Sequence, residues 1–295
     1  MPILFLCALA LTVGLAVGLV AWTLSPTRAL EGARKVGASI GRHASLRTIL
    51  DARLDPATAT GLALTLALVF AIGGGVLFGV LAYLVRTNSH LIRFDSSVAK
   101  WGNAHATALS THGLNAVTFL GSIYTVVVLC VVLAIVETFA ERTVWPATFI
   151  VAVMGGEEIL VGVIKQLVDR LRPAFNPAAA TLGPAFPSGH SATAAAFYAT
   201  AALLLGRHRG RRARAVLAGS AAGIAVGVAA SRVLLDLHWL TDVIAGLALG
   251  WGWFAVCAIA FGGRILRFGV TAETVAAAAE SEPVKVAGDV RQPGA

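Results

Sequence analysis

Charged side chains are scarce in this chain of 295 residues, of which Asp, Glu, Lys and Arg together make up only 13%. An ordinary soluble domain carries about a quarter. Hydrophobic residues reach 57% and the mean hydropathy is +0.81, which excludes an ordinary soluble domain. We therefore predict an integral membrane protein.

Cysteine is also scarce. Cys7, Cys130 and Cys257 lie in apolar runs, without the Cys-x-x-Cys or Cys-x-x-His spacing of metal and redox motifs. Neither a disulfide framework nor a zinc site is expected, and small buried thiols are the simplest interpretation. No internal repeat is visible, so a repeat architecture is not expected either.

Long apolar runs are abundant, and a helix that crosses a bilayer needs about 20 mostly apolar residues. Seven segments meet this criterion: 3–24, 57–85, 115–137, 144–165, 191–206, 215–235 and 241–262. The predicted fold class is all-α, a polytopic membrane helical bundle. The connection 86–114 has apolar residues at helical spacing, which favours an interfacial helix.

The amino-terminal segment is predicted to be a retained transmembrane anchor over residues 1–27. Its start carries no positive charge, its apolar run is too long for a secretory signal, and no clear small-x-small cleavage site follows. Residues 28–56 are predicted to be a basic cytoplasmic linker and residues 57–268 the main membrane domain. Residues 269–295 offer no core and are predicted to be a disordered cytoplasmic tail.

The distribution of cations predicts the orientation, because positive residues in short loops stay on the cytoplasmic side. Sixteen of the 23 Lys and Arg residues fall in one set of loops and termini and seven in the other. The side with sixteen is therefore predicted to be cytoplasmic, with the amino terminus outside. The Arg-rich run 207–214 is interpreted as part of this signal rather than as a nucleic-acid patch, and no nucleic-acid partner is expected.

The informative polar residues gather at the less basic face. They lie at the end of the fourth segment, at the start of the fifth and at the seam between the sixth and seventh, so distant stretches can converge on one pocket. Three cations and a helix start with a hydroxyl and a glycine suit a tetrahedral phosphate dianion. The predicted phosphate-binding residues are Lys165, Arg172, Ser188, Gly189 and Arg232.

Two histidines and a carboxylate indicate what is done to the phosphate. His238 and Asp242 are four residues apart, so a helix would place them on one face, where the carboxylate fixes the imidazole tautomer. His238 is predicted to attack phosphorus and form a phosphohistidine. His190 is predicted to protonate the leaving oxygen and then activate water. This scheme requires neither a metal nor a cofactor.

These residues resemble the three-part signature of the type 2 phosphatidic acid phosphatase superfamily, which is shared with vanadium-dependent haloperoxidases. The matching positions are Lys165, Arg172 and Pro173 in Lys-x6-Arg-Pro, Pro187 to His190 in Pro-Ser-Gly-His, and Ser231, Arg232, His238 and Asp242 in Ser-Arg-x5-His-x3-Asp. The resemblance implies a metal-independent lipid phosphatase with a six-helix membrane core and an outward-facing site. The first span and the basic linker lie outside it, and their role stays open.

Neighbouring acidic residues have structural interpretations. Asp169 is expected to pair with Arg170, while Asp236 either orients a nearby cation or is exposed at the surface. Glu157 and Glu158 lie inside a predicted span, where an interhelical hydrogen bond is favoured over a role in proton or lipid handling.

The expected function is hydrolysis of a lipid phosphate or diphosphate, such as a polyprenyl diphosphate or phosphatidic acid, at the outer leaflet of the plasma membrane. The expected partners are this lipid and the membrane, while the oligomeric state is not predicted. Two alternatives remain open: a lipid phosphotransferase that uses the same site, and a non-catalytic lipid or anion transporter. Haloperoxidase chemistry is disfavoured in a chain made largely of membrane spans.

Overall fold

The computed structural model describes residues 2–23 and 59–265, apart from 88, 106, 177, 178 and 180. Helices make up most of these residues and no strand occurs among them, which confirms the all-α class. The helices are α1 (Pro2–Thr23), α2 (Ala59–Thr87), α3 (Ser89–Ala104), α4 (Ala108–Phe119), α5 (Ile123–Glu141), α6 (Trp145–Val168), α7 (Gly189–Gly206), α8 (Arg211–Leu234) and α9 (Leu240–Ile265).

The basic linker at 28–56 and the tail at 269–295 lie outside the described residues. The domain boundaries proposed from the sequence therefore remain predictions.

Five helical segments are long and apolar enough to cross a membrane: Pro2–Trp22, Ala108–Glu141, Trp145–Val168, Arg211–Leu234 and Leu240–Phe261. A bent pair, Ala71–Thr87 with His90–Ala104 at 92°, would count as a sixth. The remaining predicted span, 191–206, is covered by α7. Its 18 residues extend about 27 Å and are buried on most sides by neighbouring helices.

The predicted span 115–137 is interrupted, because α4 ends at Phe119 and α5 begins at Ile123. Ser122 starts α5 by accepting a hydrogen bond from the Thr125 N–H at 3.3 Å. The carbonyl of Leu120 accepts a hydrogen bond from the Tyr198 hydroxyl of α7 at 3.0 Å. The break is therefore packed against α7, and this contact satisfies a backbone group that lipid could not.

Small residues bring α9 against the start of α7. A Cβ atom on Gly246 would lie 2.5 Å from the Ser188 carbonyl oxygen, so the backbones meet where any side chain would collide. The Ser188 N–H also donates to the backbone carbonyl of Asp242 at 3.0 Å. This packing fixes the first turn of α9 beside the Pro-Ser-Gly-His turn.

The first helix packs along α8 through a second stripe of glycines. A Cβ atom on Gly219 would lie 2.5 Å from the Gly14 carbonyl oxygen. Trp22, near the end of α1, lies beneath the Arg211 guanidinium at 4.6 Å, whereas Leu6 packs with Leu234 at the other end of α8. The two helices are therefore antiparallel, and the amino end of α1 lies beside the carboxyl end of α8.

Candidate active site

The three motif segments meet at one end of the helix bundle. Lys165 lies near the end of α6, Arg232 near the end of α8 and Asp242 in the first turn of α9. His190, in the first turn of α7, lies within electrostatic range of Arg232, His238, Lys165 and Arg172. The structure thus brings the motif residues of distant stretches into one site.

His238 occupies the centre of this site and is only 2% exposed. Its Nε2 lies 3.0 Å from Nη1 of Arg172. A guanidinium can only donate, so Nε2 accepts and the proton of the neutral ring belongs on Nδ1. Nδ1 lies 3.6 Å from Oδ2 of Asp242, the backbone of Ala185 interacts with the ring, and no hydrogen bond of normal geometry reaches Nδ1 within the described residues.

Backbone carbonyls hold the guanidinium of Arg172 in place. It donates to the carbonyls of Leu237 at 2.6 Å and Gly183 at 2.8 Å. Gly183 has a φ of +69°, a left-handed conformation that suits glycine and turns its carbonyl toward the arginine. Arg172 forms no carboxylate ion pair within the described residues, so its charge remains available to an anion.

Two further cations lie close by. Arg232 is 7% exposed, donates to Thr118 Oγ1 at 3.2 Å, and has a buried Nε without a partner in the described part of the chain. Lys165 lies within electrostatic range of Arg172, Glu158, Arg232 and Asp242. Neither cation pairs with a carboxylate among the described residues, and a phosphate would supply the missing negative charge.

The Pro-Ser-Gly-His turn contributes differently from the expectation for Ser188. The side chain of Ser188 is fully buried, and its Oγ accepts a hydrogen bond from Ser191 at 3.0 Å. A Cβ atom on Gly189 would meet Val161 at an ordinary 3.7 Å. The phosphate-binding roles of Ser188 and Gly189 therefore stay predictions.

Asp242 is held by Arg170, and the predicted pair of Arg170 with Asp169 does not form. Arg170 contacts no carboxylate of Asp169. Its Nη1 donates to Asp242 Oδ1 at 2.5 Å, and its Nη2 to Asp95 Oδ2 at 2.8 Å. The other oxygen of Asp242 accepts from the Trp239 N–H at 2.9 Å. Asp242 therefore has two fixed donors besides the imidazole that it faces.

Two of these neighbours were missed from the sequence. Asp95 lies in α3 and Thr118 at the end of α4, and neither belongs to a motif. The only available signal for Asp95 was an acidic residue in a helix with an otherwise apolar face.

Burial shifts the pKa values of two residues in the loop between α8 and α9. Burial and the charges of Arg172, Arg232 and Lys165 hold the pKa of His238 well below its ordinary value of 6.5. Burial raises the pKa of Asp236 to about 6. Asp236 is only 5% exposed and makes no ion pair within the described residues, so neither of the two alternatives predicted for it, a cation partner or an exposed position, is found.

The buried acid of α6 has an interhelical partner, as the sequence favoured. Glu157 is fully buried and accepts long hydrogen bonds from Thr193 Oγ1 of α7, at 3.4 and 3.5 Å. Glu158, the next residue, forms no ion pair with Lys165. In the described ranges, no group of three His, Cys, Asp or Glu side chains is arranged to hold a metal ion.

Known proteins resemble this chain in sequence. The PAP2 superfamily profile matches residues 146–265. Phosphatidylglycerophosphatase B of Bacillus subtilis is 30% identical over 178 residues, which cover 59% of this chain and 85% of that protein. Lipid A 1-phosphatase of Rhizobium etli is 34% identical over 122 residues, covering 38% of this chain and 48% of that protein.

A crystal structure also has this fold. It is that of a transmembrane PAP2-type phosphatidylglycerolphosphate phosphatase from Bacillus subtilis, with a TM-score of 0.61 and 28% identity. The similarity covers 68% of this chain and 99% of that one. The bundle is thus a fold already seen in a multi-pass membrane protein.

Proposed function

The chain belongs to the PAP2 superfamily and is a membrane-bound lipid phosphatase, and from this premise we propose that it hydrolyses a lipid phosphate through a phosphohistidine on His238. The observation that carries this proposal is the setting of the imidazole. Its Nε2 accepts from Arg172 at 3.0 Å while its Nδ1 faces Asp242. That tautomer leaves the lone pair of Nε2 on the side where the cations gather.

The first step follows from this geometry. A phosphoryl group bound among Lys165, Arg172 and Arg232 competes with Nε2 for the Arg172 donor. The freed lone pair attacks phosphorus, a P–N bond forms, and the bond from phosphorus to the lipid oxygen breaks. Burial and the nearby cations lower the pKa of His190 to about 3, so the ring is neutral before substrate binds. The bound phosphate offsets the charge of these cations, His190 takes up a proton beside it, and the resulting imidazolium gives that proton to the leaving oxygen.

The imidazole becomes positively charged in this step. Asp242 then faces a cation instead of a neutral N–H, so the contact of 3.6 Å is expected to shorten to a hydrogen bond. Catalytic hydrogen bonds are often long before the substrate binds. In the second step His190 takes a proton from water, the water oxygen attacks phosphorus, and the P–N bond breaks to release inorganic phosphate.

The substrate is proposed to be a phosphate or diphosphate on a membrane lipid. The named substrates of the relatives include a glycerophospholipid phosphate and the 1-phosphate of lipid A. A polyprenyl diphosphate presents the same terminal phosphoryl group to the cations. We place the reaction at the outer leaflet of the plasma membrane, since the more basic loops favour the opposite face.

Phosphate release by the purified protein tests the function. In detergent micelles, phosphatidylglycerophosphate, phosphatidic acid and a polyprenyl diphosphate are supplied separately, and we expect free phosphate from at least one. His238→Ala should lower that turnover by about 10⁴-fold or more. His112→Ala, at an exposed position of α4, is the matched control and should retain the wild-type rate.

Three outcomes would overturn the proposal. Turnover by His238→Ala at a rate near that of the wild type would remove the nucleophile assignment. Absence of phosphate release from all three lipids, with transfer of label to a second lipid instead, would make the protein a phosphotransferase. Lipid movement across liposomes without any phosphate release would favour the transporter.

A further inference from the structure

A buried carboxylate outside the motifs is bonded to the site. Asp95 of α3 is 0% exposed, although α3 is an amphipathic helix with several exposed residues. Its Oδ1 accepts from the Thr241 N–H at 3.1 Å, and its Oδ2 accepts from the Thr241 hydroxyl at 2.5 Å. The carboxylate therefore caps the first turn of α9 from another helix, one residue before Asp242.

Arg170 joins this carboxylate to Asp242. One end of its guanidinium donates to Asp95 at 2.8 Å and the other to Asp242 at 2.5 Å. The same guanidinium lies 5.4 Å from the centre of the Trp239 ring. A planar fork held on both sides by carboxylates and covered by a ring has little freedom to rotate.

The charges of this chain of contacts matter for the reaction. Asp95, Arg170 and Asp242 together carry one net negative charge. If Asp95 were neutral, the full charge of Arg170 would face Asp242 alone. Asp242 would then stabilise a positively charged imidazole less well, and its Oδ1 would follow Arg170 if the guanidinium moved.

We propose that Asp95 is a positioning residue that acts through Arg170 and Thr241: it orients Asp242 toward His238 and offsets part of the Arg170 charge that would otherwise neutralise Asp242. This inference rests on the proposed function, because it assigns Asp95 a part in the reaction at His238. Asp95 lies at none of the motif positions and does not contact the imidazole. Its effect is therefore expected on the chemical step rather than on phosphate binding.

Asp95→Asn tests this inference, because it removes the charge and keeps the shape. We expect kcat to fall about 10- to 100-fold, in the range of residues that orient a reacting group. The inhibition constant of inorganic phosphate should stay within about threefold, since Lys165, Arg172 and Arg232 are untouched. Asp169→Asn is the matched control, because Asp169 is exposed, neighbours Arg170 and has a φ of 46° that asparagine tolerates.

A double-mutant cycle separates positioning from general damage. In the Asp242→Asn background, a further Asp95→Asn change should lower the residual kcat by less than about twofold. Arg170→Lys keeps the charge but cannot bridge both carboxylates, so it should lower kcat. Its thermal midpoint should stay closer to that of the wild type than the midpoint of Asp95→Asn does.

The inference is wrong if Asp95→Asn retains the kcat of an active wild type. It is also wrong if the fold-losses in kcat of Asp95→Asn and Asp242→Asn multiply in the double variant. A third contradicting result is that kcat, phosphate affinity and thermal midpoint all fall together in Asp95→Asn while all three keep their wild-type values in Arg170→Lys. An inactive wild type would instead refute the proposed function itself.

Discussion

The imidazole of His238 lies in a setting that disfavours its protonated form before any substrate binds. It is 2% exposed and lies near three cations, which together hold its pKa well below 6.5. A nucleophile must offer a lone pair, so a lowered pKa keeps the ring reactive at mildly acidic pH. Asp242 already accepts hydrogen bonds from two other donors, and it is expected to accept one from the ring when the ring becomes charged.

The lowered pKa of His238 has a consequence for stability. Below about pH 6.5 the unfolded chain binds a proton on this histidine that the folded chain does not bind, so the proton favours unfolding. We expect the thermal midpoint of the wild type to fall more steeply between pH 8 and pH 5 than that of His238→Asn, which has nothing to titrate there. Differential scanning fluorimetry in detergent measures both curves, and parallel curves would contradict the lowered pKa.

Sequence patterns predicted the motif residues but not their supports. The spacing of His238 and Asp242 predicts a pair on one helix face. The two side chains do face each other, but His238 lies in the loop before α9 and only Asp242 lies on that helix. Asp95 is 146 residues from its partner Thr241, and no local pattern reports a contact across that distance. Arg170 illustrates the same limit. Asp169 is its neighbour in sequence, but in the folded chain the Arg170 guanidinium contacts Asp95 of α3 and Asp242 of α9.

At the scale of helices, the site depends on close contact between α7 and α9. The first turn of each helix carries motif residues, and the Ser188 N–H bonds the backbone carbonyl of Asp242 at 3.0 Å. Gly246 lies one turn further along α9 and allows this approach. Apolar run lengths predicted where the helices lie, but not the break at 120–122, because Leu120, Gly121 and Ser122 do not interrupt an apolar segment.

Gly246→Ala should damage both stability and activity. The added Cβ would lie 2.5 Å from the Ser188 carbonyl oxygen, so α9 or the turn before α7 must shift. Overpacking of this kind costs about 1–3 kcal/mol, and a displacement of the reacting groups lowers kcat by about 10- to 100-fold.

Gly252→Ala is the matched control on the same helix, because its Cβ would meet only atoms at 3.8 Å or more. Melting curves and phosphate release should place Gly252→Ala near the wild type and Gly246→Ala well below it. Equal behaviour of the two variants would show that the close contact does not position the site.

Across the whole molecule, the Arg-rich loop and the proposed phosphate-binding cations lie at opposite ends of the bundle. At the end away from the site, Arg207 pairs with Glu137 and with Glu141. At the site end, Arg170 is also paired, with Asp95 and Asp242. Lys165, Arg172 and Arg232 form no carboxylate ion pair within the described ranges, which suits a ligand that brings its own charge. Because α7 begins at the site and ends at Gly206, the Arg-rich loop after it lies at the opposite end.

This polarity predicts the orientation of the protein in the membrane. Cytoplasmic loops are enriched in Lys and Arg, so the loop with Arg209 should face the cytoplasm and the loop with Phe175 the outside. In a background with the three cysteines replaced, Phe175→Cys should react with a membrane-impermeant maleimide in intact spheroplasts. Arg209→Cys should react only after permeabilisation. The reverse labelling pattern would place Lys165, Arg172 and Arg232 on the cytoplasmic face. The lipid substrate would then have to come from the inner leaflet.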